Sequence, residues 1–69
     1  MTRFELEQAI MSCWNTGEDL KLLSNKVLEG DITDDDIANT LIGIERLHDM
    51  RCERVFEIFE ELIRNGDLQ

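Results

Sequence analysis

Residues 34–65 read DDDIANTLIGIERLHDMRCERVFEIFEELIRN, and the spacing of the apolar side chains in this stretch decides the fold. At about 100° of rotation per residue, one set of these side chains falls within an arc of about 80°, which indicates an amphipathic helix. The set keeps its phase for about seven turns, whereas a break in the helix would normally reset it. We therefore predict one continuous helix, whose apolar stripe consists of Ile37, Leu41, Ile44, His48, Cys52, Val55, Phe59 and Leu62.

The ends of the helices are marked by capping residues. A threonine followed three residues later by an acid can cap a helix N-terminus through its hydroxyl, and this pattern begins at Thr2, Thr16 and Thr33. A glycine or an asparagine can take the left-handed conformation that ends a helix, and the candidates are Asn15, Gly30 and Gly66. We predict a single all-α domain, residues 1–69, with helices at about 3–14, 17–29 and 34–65.

The third helix has more apolar surface than the other two helices can hide. Toward the C-terminus its stripe widens to about 160°, because Phe56, Ile58 and Ile63 join it. Helices of about 18–20 Å cannot easily cover a helix of about 48 Å. We therefore expect a helical hairpin or bundle that is completed by dimerisation, most simply a two-fold homodimer through the third helix. In the alternative, the two short helices lie end to end along the long one and cover it.

The length and composition of the chain favour a small folded domain. Of the 69 residues, 21 are Leu, Ile, Val or Phe, which is well above the level at which disorder is expected. A single core of this size is marginally stable, so a partner subunit would help. No apolar run is long enough for a membrane span, and no secretory leader begins the sequence. With only two cysteines, we expect free thiols and a cytoplasmic location.

The net charge of −9 limits the kinds of partner. Such a surface repels nucleic acids and anionic lipids, so we expect no direct binding to nucleic acid or to membranes, and a protein partner with a basic surface. An acidic mimic that blocks a nucleic-acid-binding enzyme is the alternative. The acids concentrate at residues 31–36 and 56–69, whereas residues 37–55 are neutral overall. This distribution argues against an extended mimic built from one chain.

His48 and Cys52 have the i, i+4 spacing of half a metal site. Cys13 offers a third ligand, and a dimer would bring two His48–Cys52 pairs around one zinc ion. A buried cysteine and a hydrogen-bonded histidine in an apolar stripe are commoner outcomes, and a polar residue in such a seam can fix its register. The structural interpretation is favoured, so no metal or other cofactor is predicted.

Catalytic patterns are absent from the sequence. His48 is the one histidine and lies on the same helix face as Cys52, with no glycine-rich turn to form an oxyanion hole. The sequence contains neither a phosphate-binding loop nor a dinucleotide fingerprint. We expect a binding protein, not an enzyme.

Aromatic and methionine side chains are enriched at protein interfaces and provide the candidate contacts. Trp14 is the one we expect to be partly exposed. The candidate interface residues are Phe4, Met11, Trp14, His48, Phe56 and Phe59.

Several stretches of the sequence resemble small uncharacterised proteins encoded in tailed-phage genomes. These stretches are LEQAIMSCWN (residues 6–15), EDL (18–20), VLEGD (27–31), residues 37–45 and VFEIFE (55–60). Their motifs are patterns of helix packing and capping, so the resemblance implies no chemistry for particular residues. It implies an accessory protein that is made in the cytoplasm of an infected bacterium and acts by stoichiometric binding to a host protein.

Overall fold

The computed structural model describes residues 2–66, and all of their regular structure is helical. Helix α1 spans Arg3–Ser12, α2 spans Asn15–Glu29 and α3 spans Asp34–Asn65. The predicted all-α class is confirmed. No helix within residues 2–66 combines the length and the apolar character that crossing a bilayer requires.

Local capping explains where α3 begins and ends. The hydroxyl of Thr33 accepts a hydrogen bond from the amide of Asp36 at 3.2 Å, and the carboxylates of residues 34–36 face the positive end of the helix. Gly66 ends the helix with φ at 71°, and Gly30 ends α2 in the same way with φ at 77°. Because these signals are local, α3 occupies the range that its apolar stripe indicates.

The junction between α1 and α2 differs from the prediction. Helix α1 ends at Ser12, two residues early, and α2 begins at Asn15, two residues before the predicted start. Asn15 does not take a left-handed conformation, because among residues 2–66 only glycines have positive φ. The amide of Gly17 donates to the carbonyl of Trp14 at 3.0 Å. Backbone bonds of this kind continue through the junction, so Thr16 lies inside α2 and does not cap it.

Helices α1 and α2 follow one another along α3. Both pack on α3, and the molecule measures 51 × 16 × 12 Å along its principal axes. Its length is that of a 32-residue helix at about 1.5 Å per residue, and its cross-section is two helices thick. The end-to-end arrangement of the alternative prediction is therefore observed, whereas the complete covering of α3 that it includes is not.

The core between the helices is small. Ile58 and Leu62 are the most deeply buried side chains, 1% and 0% exposed, and they pack with Ala9 of α1. The α2 half of the molecule has Leu23 and Ile44 as its buried residues. The end-to-end arrangement thus buries apolar side chains without covering the whole of α3.

One flank of the apolar stripe remains open. Ile44 and Leu62 are buried, whereas Leu41, Cys52 and Phe59 of the same stripe are exposed. Helices α1 and α2 dock toward the side of Ile58, so the opposite side of the wide arc has no neighbour within the described residues. The predicted excess of apolar surface on α3 is present.

Two glycine-to-alanine substitutions should change stability in opposite directions. Gly43 lies within α3, and a Cβ there would meet no atom within 4 Å, so Gly43→Ala should raise the free energy of unfolding by about 0.5–1 kcal/mol. Gly30→Ala should lower it by about 1–2 kcal/mol, because alanine is strained at positive φ. Urea unfolding followed by circular dichroism measures both, and a loss of stability in Gly43→Ala would contradict the packing around α3.

Candidate protein-binding groove and its polar edge

An apolar groove runs between α1 and α3 and has a volume of about 760 Å³. The exposed flank of α3 forms one side of this groove. Helix α1 and the α1–α2 junction form the other side. We call it the aromatic groove, and its lining consists of Leu6, Ile10, Cys13, Trp14, Cys52, Val55, Phe56 and Phe59.

The aromatic side chains of this groove are exposed although they are large and apolar. Trp14 is 70% exposed and Phe56 is 59% exposed. The rings of Phe56 and Phe59 lie 6.4 Å apart in a tilted arrangement, which is within the range for favourable aromatic pairs. Exposed aromatic rings grouped in one concave surface are typical of a protein-binding site.

The structure brings together three of the six predicted interface residues. Trp14, Phe56 and Phe59 all line the aromatic groove. Phe4 is exposed beside Arg54 and Ile58 in a different depression, and Met11 is exposed on α1. His48 is half-buried. Trp14 has the exposure that we expected, whereas a role in binding remains a prediction for all six residues.

A set of polar side chains joins α2 to the middle of α3, and we call it the polar bridge. The hydroxyl of Thr16 lies 2.8 Å from Nδ1 of His48 and accepts a hydrogen bond from Arg51 at 3.0 Å. The guanidinium of Arg51 also forms an ion pair with Asp19 at 3.2 Å. Beyond the histidine ring, Nε2 lies 3.5 Å from the sulfur of Cys52. The bridge reaches from α2 to the edge of the aromatic groove.

The polar bridge fixes the position of the histidine ring. Its Nδ1 is engaged by Thr16, so the ring is held with Nε2 toward Cys52. The predicted hydrogen-bonded histidine in the apolar stripe is therefore observed. The bridge also explains the junction, because the Thr16 hydroxyl binds α3 and is not free to cap α2.

The cysteines have different surroundings. Cys52 is exposed, whereas Cys13 is half-buried, and both thiols are free. The Cys13 sulfur lies 3.6 Å from the carbonyl of Ala9 within its own helix. Within residues 2–66, no group of three or more His, Cys, Asp or Glu side chains is placed to hold a metal ion. Cys13 thus does not complete a site with the other two residues.

A second apolar groove of about 460 Å³ lies between α2 and α3, and we call it the α2–α3 groove. Its apolar lining includes Leu22, Ile32 and Leu47, with Asp19 and Lys26 at its edge. The acids of residues 31–36 adjoin Ile32 in the sequence. This groove is therefore apolar inside and acidic near one end.

Sequence reasoning missed several residues of both sites. Leu6 and Ile10 were not among the candidate interface residues, and Thr16 was interpreted as a cap. Arg51 was not among the candidate residues either. Their positions relative to the apolar arcs were visible in the sequence, but their partners across the helices were not.

Comparison with protein-family models, with curated proteins and with solved structures finds no match to this chain.

Removing the Thr16 hydroxyl should weaken the link between α2 and α3. Thr16→Val keeps the shape of the side chain but deprives His48 and Arg51 of a hydrogen-bond partner, so we expect a loss of about 1–3 kcal/mol in the free energy of unfolding. Thr40→Val, the same change at an exposed position of α3, should shift it by less than about 0.5 kcal/mol. If the two substitutions change the free energy of unfolding in urea equally, the hydrogen bonds of the polar bridge do not stabilise the fold.

Proposed function

We propose that this chain is a phage-type accessory protein that acts as a homodimer, by stoichiometric binding to a protein in the cytoplasm of the host bacterium. It performs no catalysis in this proposal. The observation that supports the proposal most directly is the aromatic groove, whose exposed rings need a protein partner to cover them.

The surface area of the chain supports a partner subunit. The structure exposes 5419 Å², whereas a compact monomer of 8.1 kDa is expected to expose about 4500 Å². The radius of gyration is 16.1 Å, against about 11 Å for a compact domain of this length. The excess of about 900 Å² is close to the roughly 800 Å² that each partner buries in a standard interface.

The distribution of charge allows a second copy to approach the aromatic groove at its end near the middle of α3. Residues 37–55, in the middle of α3, contain three acids and three arginines, and Cys52 and Val55 of the groove lining belong to this neutral segment. Two copies can therefore meet at Cys52 and Val55 without bringing segments of like net charge together there. A dimer centred on residues 31–36 would instead bring like charges together, which is unfavourable.

The surfaces left outside this dimer fit a basic partner. The α2–α3 groove offers Leu22 and Leu47 as apolar contacts, and the acids of residues 31–36 lie toward one end of it. An amphipathic helix with basic flanking residues matches that combination. Phe4 and Met11, exposed on α1, are further predicted contacts with the host protein.

The alternative function, an acidic mimic of nucleic acid, has less support. A mimic requires carboxylates distributed along the surface, whereas the acids of this chain are concentrated at the ends of a 51 Å molecule. The dependence of binding on salt distinguishes the two functions, because salt screens charge pairs and affects apolar contacts little.

If the chain forms a homodimer, its mass in solution should be that of two chains. Sedimentation equilibrium under reducing conditions and with a chelator should give twice the chain mass. Phe56→Ser should weaken the dimer at least about tenfold, because it removes an aromatic contact from the groove. Phe56 is exposed in the single chain, so the fold should persist, as circular dichroism would verify.

Leu28→Ser is the matched control, since Leu28 is 83% exposed and lies outside the lining of the aromatic groove. It should leave the dimer unchanged. A wild-type chain that sediments as a monomer at every concentration would contradict the proposed dimer.

Host binding is tested by capture from bacterial lysate on the immobilised chain. One host protein should be retained in about equimolar amount at both about 0.1 M and about 1 M salt. Leu47→Ser should reduce its retention, whereas Leu28→Ser should not. Loss of retention at the higher salt, with no effect of Leu47→Ser, would instead support the acidic mimic.

A further inference from the structure

The separation of His48 and Cys52 matches that of two ligands on one zinc ion. Zinc lies about 2.3 Å from a cysteine sulfur and about 2.0–2.1 Å from a histidine nitrogen, with tetrahedral geometry. These bond lengths place the two ligand atoms about 3.5–3.6 Å apart. In the structure, Nε2 of His48 and the sulfur of Cys52 are 3.5 Å apart.

The histidine is also oriented as a metal ligand requires. Histidines that bind metals almost always use their other ring nitrogen in a hydrogen bond that fixes the ring. Nδ1 of His48 lies 2.8 Å from the hydroxyl of Thr16, which Arg51 also engages at 3.0 Å. With Nδ1–H donating to Thr16, the lone pair of Nε2 points toward the space beside Cys52.

A single chain supplies only half of a tetrahedral site. No third ligand joins His48 and Cys52 within residues 2–66, while Cys52 is exposed on the lining of the aromatic groove. We propose that a second copy completes the site, so that two His48–Cys52 pairs bind one zinc ion across the two-fold axis. This inference rests on the proposed homodimer.

The position and charge of the pair suit such an axis. Cys52 lies near the middle of α3, which spans Asp34–Asn65, so two α3 helices related by a two-fold axis at Cys52 overlap along most of their length. Each thiol releases its proton to solvent when it binds the metal. Two thiolates then balance the charge of Zn²⁺, and nitrogen and sulfur together are ligands that zinc prefers.

The experiment uses the full reduced chain, stripped of metal with a chelator and titrated with Co²⁺ and then Zn²⁺. Tetrahedral cobalt bound to thiolate should give intense visible bands and a sulfur-to-metal charge-transfer band that saturate at one metal per two chains. Zinc should displace the cobalt and abolish these bands.

Two cysteine variants locate the site. Cys52→Ser should abolish the charge-transfer band, and Cys13→Ser, the matched change at the other thiol, should leave it unchanged. Thr16→Val should weaken metal binding about 10–100-fold without changing the stoichiometry, because the ring loses its orienting partner.

Other results overturn the inference in distinguishable ways. If the chain shows no charge-transfer band but keeps twice its mass in chelator, the zinc site is wrong and the homodimer stands. Binding of one metal per chain that Cys13→Ser removes would show an intramolecular site instead of a shared one. A monomer under every condition, with or without metal, would overturn the homodimer and the shared site together.

Discussion

The structure depends on one constraint, which is that the apolar arc of α3 is wider than the surface that α1 and α2 cover. A helix of 32 residues with no break presents apolar side chains over an arc wide enough for two neighbours. Helices α1 and α2 lie one after the other along a single flank of that arc, so the molecule is two helices thick over its whole length. The small core, the elongated shape and the aromatic groove all follow from this arrangement, because the second flank has no neighbour within the described residues.

The polar bridge lies between the two regions in which apolar side chains are buried. The deepest apolar packing is near Ile58 and Leu62, and Leu23 and Ile44 form a second buried pair. Between these two regions, Thr16 and Asp19 bind His48 and Arg51. The bridge holds α2 against α3 at the middle of the rod, and it also positions His48 and Cys52 beside the groove. A change in the bridge would therefore affect both the stability of the hairpin and the surface offered to a second copy.

Much of the fold was predictable from local signals. The phase of the stripe and the caps at Thr33 and Gly66 account for α3 because they depend on neighbours in sequence. Thr16 was misread because its hydroxyl binds residues 32 and 35 positions away, and a tertiary bond of this kind overrides a local capping pattern. Likewise, periodicity does not determine which flank of a wide arc is buried. Ile58 was placed outside the stripe, where the arc widens, yet it is buried, while Cys52 and Phe59 of the stripe itself line the groove.

The most direct test of whether a second copy covers the aromatic groove uses the fluorescence of Trp14, the single tryptophan of the chain. In an isolated chain this side chain is 70% exposed, so its emission should be that of an indole in water and easily quenched by acrylamide. If a second copy covers the aromatic groove, emission at high protein concentration should shift to shorter wavelength and resist quenching, and dilution should reverse both changes. Emission that stays like that of an indole in water and fully quenchable at every concentration would contradict a dimer formed through the aromatic groove.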